Sequence, residues 1–115
     1  TGDTLLAALE NGVSQHADGS GRFPQVSGMR FSVDLAAEVG SRISDVTVGG
    51  AALDLAATYG VVSNNFIRNG GDGYDMFETA MNAYDFGPDL ADVTAEYMAE
   101  NAPYQPYVDG RIEMK

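Results

Sequence analysis

A mixed α+β domain, in which a β-sheet is packed with helices, is the fold class this sequence predicts, and three observations predict it. Helical apolar spacing opens the chain, strict two-residue alternation follows, and a second helical stretch begins beyond a proline near the end. At 115 residues there is room for one domain and no second core. A composition of 44% apolar and 20% charged residues is that of a globular chain rather than a disordered one.

The first helix is expected over Thr1 to Gln15. Leu5, Leu9 and Val13 recur at four-residue spacing with Leu6 alongside, Thr1 can cap the helix, and Asp3 suits its positive end. His16 to Arg22 is polar and glycine-rich and is expected to be irregular. Met29 to Asp34 alternates apolar and polar residues, which predicts a half-buried strand. Arg42 to Val48 alternates too, with an irregularity between Ile43 and Val46, and Gly49-Gly50 then supplies a turn. The β-branched and aromatic run Thr58 to Ser63 predicts a third strand, central in the sheet. Asn64 to Gly73 is dense in residues that tolerate positive φ and reads as a loop. Tyr74 to Ala83 reads as a helix, with Phe77 and Met81 four apart. Pro88 and Asp89 open another helix, to about Asn101, with Leu90, Val93, Tyr97 and Met98 as its buried face. Pro103 and Pro106 bracket an extended link whose Tyr104 and Tyr107 are expected to pack the tail back. Gly110 to Lys115 is expected as a final short strand.

Charge and composition exclude several functions. Seventeen acids against 6 bases leave a net charge of −11, which would repel a nucleic-acid polymer or an anionic membrane surface. A small nucleotide stays open, because one or two arginines can meet its few charges. There is no cysteine, so no disulfide framework or thiolate metal site can form. A single histidine, His16, cannot build a histidine-rich metal centre and is expected to be solvated. Gly70-Gly71-Asp72-Gly73 occurs once, without the stacked copies that glycine–aspartate calcium repeats need, and Asp72 and Asp75 lack EF-hand spacing. Asp89/Asp92 and Glu96/Glu100 read as a solvated acidic face. No apolar stretch has the length needed to span a bilayer. The chain opens on Thr1 with neither Met nor a signal-like segment, and is expected to be a piece of something longer.

Two loops place large aromatics where turn residues dominate. In Gly21-Arg22-Phe23-Pro24-Gln25-Val26-Ser27-Gly28, Phe23 stands between a flexible segment and a proline. In Asn65-Phe66-Ile67-Arg68-Asn69-Gly70-Gly71-Asp72-Gly73-Tyr74, Phe66 precedes a glycine-flanked Asp72. A planar heteroaromatic ligand needs one ring on each face, and a carboxylate can accept from two adjacent hydroxyls. The same pattern also fits two phenylalanines plugging the ends of a sheet, and spacing alone does not bring the two loops together.

These two motifs, about forty residues apart, are similar to those of the C-terminal domain of the 5′-nucleotidases. That family includes the UDP-sugar hydrolases, the 2′,3′-cyclic nucleotide phosphodiesterases and the ecto-5′-nucleotidases. The opening Thr1-Gly2-Asp3-Thr4-Leu5-Leu6-Ala7-Ala8-Leu9-Glu10-Asn11-Gly12-Val13-Ser14 resembles its first-helix motif, and Val108-Asp109-Gly110-Arg111-Ile112 its final strand. The resemblance implies a domain over residues 1–115 that binds a nucleoside or nucleotide. Phe23 and Phe66 then stack the base and Asp72 holds the ribose, with Arg22, Asn69 and Gly71 as further contacts and Arg68 and Asn69 as buttresses of the Asp72 turn. It also implies that catalysis, and two divalent metal ions, belong to an N-terminal metallophosphatase domain outside this chain. The Asn-Gly-Gly-Gly-Ile-Arg-like segment of the family's C-terminal domain is not in the sequence either. The chain is therefore expected to be inactive alone, to expose a sheet edge, and to work in the periplasm or outside the cell. Two further readings are a non-catalytic nucleoside-binding module and a domain of a non-nucleotide relative such as a thiosulfohydrolase.

Overall fold

The computed structural model describes all residues, 1–115. Helix α1 runs over Gly2–Val13, with the Thr1 hydroxyl accepting from the Thr4 amide as its N-cap. Its apolar stripe lies on the sheet. Leu9 and Val13 form the buried core with Phe31 and Val33, and Phe23, Val26, Met29, Leu35, Ile43, Val46 and Ile112 pack around it. Gly2 is required at the start: a Cβ there would fall on the Asp54 carbonyl. The Gly2 and Asp3 amides donate to the carbonyls of Ala57 and Leu55, each at 3.0 Å.

The sheet is mixed, in the order β3-β2-β1-β4. Strands β1 (Met29–Val33) and β2 (Ile43–Val48) are antiparallel, and the register slips between Arg30 and Ser32. The bulge falls on Asp45 at φ 54°, inside the interval where alternation fails in the sequence. Gly49 and Gly50, at φ 58° and 85°, turn the chain into the two-residue strand β3 (Ala51–Ala52), with Val48 opposite Ala51. A two-residue hairpin of this hand needs positive φ at both positions, which glycine accepts without strain. The last strand, β4 (Ile112–Met114), adds parallel to β1 and forms one edge of the sheet.

Three expectations are corrected. Thr58 to Ser63 forms no strand: the carbonyls just before it are committed to the start of α1, and the Tyr59 hydroxyl accepts from the Asp54 amide. These bonds draw the segment away from the sheet, and Val62 stands 99% exposed. Tyr74 to Ala83 holds only a 3₁₀ turn at Asp75–Phe77, and Asn82 then adopts φ 54°. Met81 finds no core to pack against, and a short helix without packing is marginal in water. Helix α3 (Leu90–Glu100) forms, capped by Asp89, but buries no residue, and Leu90, Tyr97 and Met98 of its expected buried face are exposed. Tyr104 meets Tyr97 edge-on with ring centroids 6.1 Å apart, while Tyr107 lies under the Arg111 guanidinium.

The C-terminal strand is tied down by charge as well as by its ladder. Lys115 Nζ lies 2.6 Å from the Asp45 carboxylate on the bulge and 2.9 Å from the Ser44 hydroxyl. The Lys115 hydrogen bond holds the Asp45 carboxyl below its ordinary value of 3.8, and Asp45 holds Lys115 above 10.5. The contribution of Asp45 is therefore present above pH 3.8 and is lost as the pH falls through its lowered value. That of Lys115 is full below pH 10.5 and is lost as the pH rises through its raised one. Lys115→Gln is expected to lower the thermal midpoint slightly at pH 7, and the difference from wild type to shrink as the pH falls below 3.8, as read by circular dichroism melts.

Candidate functional site

The end of α1, the loop carrying Phe23 and the turn carrying Asp72 meet at one place. The contact begins with a small residue. A Cβ on Gly12 would sit 2.6 Å from Cδ of Pro24 and 2.8 Å from the Tyr74 hydroxyl, so both loops approach the helix main chain there. Tyr74 is buried, and its hydroxyl donates to the Arg22 carbonyl at 2.7 Å. Asn11 Nδ2 donates to the Asp72 carbonyl at 3.0 Å, and Arg22 Nη1 donates to Asn11 Oδ1 at 3.2 Å. Burial pushes the Tyr74 phenol above its ordinary 10.0; the Asp72 carboxylate adds to this and Arg22 opposes it.

The turn carrying Asp72 is built from positive φ. Asn64 caps a single helical turn, α2 (Asn65–Arg68), by accepting from the Ile67 amide at 2.8 Å. Gly70 follows at φ 79°, Asp72 at φ 55° and Gly73 at φ 77°. The ring of Phe66 lies over Gly71: a Cβ there would fall 2.6 Å from its Cδ1, Cε1 and Cζ. Only glycine lets the ring settle on the main chain in this way, and 56% of Phe66 remains exposed. Asp72 spends its carbonyl on Asn11 and keeps its carboxylate at the surface.

The sequence-derived candidates thus separate. Phe66 and Gly71 are in contact, and Asp72 is six residues beyond Phe66 on the same turn. Phe23 is half-buried, packs on the core and meets the exposed His16 ring at 5.7 Å, tilted by 59°. Arg22 turns inward to Asn11 and to the Ser14 hydroxyl at 3.5 Å, and its Nε is buried without a partner. Asn69 closes its own helical turn by donating to the Asn65 carbonyl at 2.7 Å. Arg68 is no buttress of Asp72; it donates to the Phe77 carbonyl and pairs with Asp85 at 3.1 Å. Sequence reading missed Asn11, Gly12 and Tyr74. The first two left a trace: Asn-Gly within an otherwise strong helix is locally unfavourable and needs a tertiary cause.

The family model "5′-nucleotidase, C-terminal domain" matches residues 1–79. The trifunctional nucleotide phosphoesterase protein YfkN of Bacillus subtilis is 34% identical over 98% of this chain and 8% of its own length. The human 5′-nucleotidase is 30% identical over 97% of the chain and 21% of its own length. Among solved structures, the 5′-nucleotidase precursor of Thermus thermophilus superposes with a TM-score of 0.94 at 45% identity, over 99% of this chain and 24% of that one. The fold is therefore that of a domain within much larger proteins. This chain belongs to the 5′-nucleotidase family, where it corresponds to the C-terminal domain. It spans less than a quarter of the length of each of these three relatives.

Tyr74→Phe removes the hydroxyl by which buried Tyr74 donates to the Arg22 carbonyl. It is expected to cost about 1–3 kcal/mol in urea unfolding at pH 7. Because the folded Tyr74 pKa is raised, its contribution is full below pH 10.0 and fades as the pH rises through the raised value. The gap between the two proteins should accordingly narrow in strong alkali.

Proposed function

We propose that this chain is the nucleoside-recognising domain, or most of it, of a nucleotide phosphohydrolase. One observation carries the reading: an aromatic ring settled flat on a glycine and open to solvent stands on the same tight turn as an exposed carboxylate. Phe66 offers one face to a base, and Phe23, on the loop tied to that turn through Arg22 and Asn11, offers the other. Asp72 accepts from the ribose 2′- and 3′-hydroxyls. Stacking of this kind is worth about 1–3 kcal/mol per base and tolerates base identity. Gly71 acts by seating Phe66, while Arg22 and Asn69 hold the loops rather than reach the ligand.

The clamp contributes positioning. Binding energy from an unreacting part of the substrate fixes where its phosphate lies. On this reading the bond-breaking chemistry belongs elsewhere in the longer protein, as the family's two-domain organisation implies. Two divalent ions fit the metallophosphatase domain for which the longer relatives have room, and residues 1–115 alone are expected to hydrolyse nothing. Apolar side chains left open, such as Val62 and Val108 at 99% exposure, support the view that more of the parent protein covers this domain. Work outside the cytoplasm accords with the Thermus relative being a 5′-nucleotidase precursor. No helix is long and apolar enough to cross a membrane.

Phe66→Ala in the longer polypeptide is the test. KM for a nucleoside monophosphate should rise about tenfold or more, the loss expected for one stacking face. Hydrolysis of a small aryl phosphate, which has no base to stack, should keep its kcat/KM. Equal losses on both substrates would overturn the clamp.

A further inference from the structure

We infer that Asn11 is a positioning residue whose single amide holds the Asp72 turn and the Phe23 loop in fixed relation, so that helix α1 sets both halves of the site. The purpose assigned to it rests on the nucleoside reading above; the geometry does not. Asn11 sits between Leu9 and Val13, which pack on Phe31 and Val33, so its backbone is anchored on both sides by core contacts. Its two amide atoms are used in opposite directions, Nδ2 toward the Asp72 carbonyl and Oδ1 toward the Arg22 guanidinium. Those carriers stand 61 and 11 residues away in sequence.

Three details favour this role over ordinary helix capping. Asp72 holds φ 55°, a conformation that costs a residue with a Cβ some energy even though Asp tolerates it better than most, and Asn11 is the side chain that grips its carbonyl. Gly73 leaves space for the amide, since a Cβ there would lie 3.0 Å from Asn11 Oδ1. Arg22 forms no ion pair with a carboxylate although the chain carries 17 acids; its guanidinium bonds Asn11 and the Ser14 hydroxyl. A neutral amide serves here where a carboxylate would not, because one of its two partners is an acceptor.

That asymmetry supplies the test. Asn11→Asp keeps an acceptor for Arg22 but sets an acceptor against the Asp72 carbonyl, so only one leg breaks. In hydrogen exchange followed by NMR on the 115-residue chain, the Tyr74 amide, which donates to the Gly71 carbonyl, should exchange at least tenfold faster. The Val33 amide, in the core strand, should stay within twofold. In the longer polypeptide the same variant should raise KM for a nucleoside monophosphate about tenfold while kcat changes less than twofold. Unchanged exchange at Tyr74, or equal acceleration at Val33, would overturn the inference. So would a wild-type KM in Asn11→Asp beside a raised KM in Phe66→Ala, an outcome that leaves the stacking reading intact. If Phe66→Ala itself keeps a wild-type KM, the stacking reading fails, and the exchange data still decide whether Asn11 holds the turn.

Discussion

Leu9 and Val13 press helix α1 onto Phe31 and Val33 of β1, and the rest of the structure is arranged around that contact. Each of these side chains contributes about 1.5–3 kcal/mol by leaving water, more than the about 0.5–1.5 kcal/mol net of a typical hydrogen bond. Polar groups then fix the orientation that burial leaves free. The Glu10 carboxylate accepts from the amides of Arg42 and Ile43 where β2 begins, and Arg42 Nη1 returns to the Val13 and Ser14 carbonyls at the helix end. The helix can neither slide nor roll on the sheet. Its last turn thereby becomes a fixed reference from which two irregular loops can be placed.

Those loops need such a reference because neither is regular. The Asp72 turn runs through positive φ at Gly70, Asp72 and Gly73, and the Phe23 loop has no ladder of its own. Left alone, segments of this kind sample many conformations, and the cost of ordering them would fall on ligand binding. Hydrogen bonds from Tyr74 and Asn11 meet that cost when the chain folds. A rigid ring on a glycine and a carboxylate held at the rim of a turn are the result.

Sequence reading succeeded where the period and the turn chemistry are local. Leu5, Leu9 and Val13 mark α1, the alternation of Met29 to Val33 marks β1, and Gly49-Gly50 marks a turn; each follows from geometry within a few residues. The break in β2 was legible for the same reason. Thr58 to Ser63 misled because β-branched residues make a strand only where a partner strand is available, and here the neighbouring carbonyls belong to α1. Leu90, Tyr97 and Met98 share a helical face, yet periodicity cannot say what lies opposite, and within this chain only the Tyr104 ring meets it, at Tyr97. Of the candidate site, Phe66, Gly71 and Asp72 were legible from residue type. Asn11 and Tyr74 were not, since bonds over 61 and 52 residues leave no periodic trace.

The placement of positive charge bears on which part of a nucleotide such a domain reads. Arg30, Arg42, Arg68 and Arg111 each donate to main-chain carbonyls, at Asp109, at Ala37, Val13 and Ser14, at Phe77 and at Val26 respectively. Arg22 faces Asn11, and Lys115 is paired with Asp45. All six bases are thus engaged in holding the fold, within a chain whose net charge is −11. A phosphate brought to this surface would meet a repulsive field and few free donors. A base and a ribose carry no charge, so neither is penalised by that field, and both are served by open rings and an acceptor. On the proposed reading the division of labour follows from electrostatics: this chain grips the neutral end of the substrate, and the cations that the phosphate requires must come from outside it.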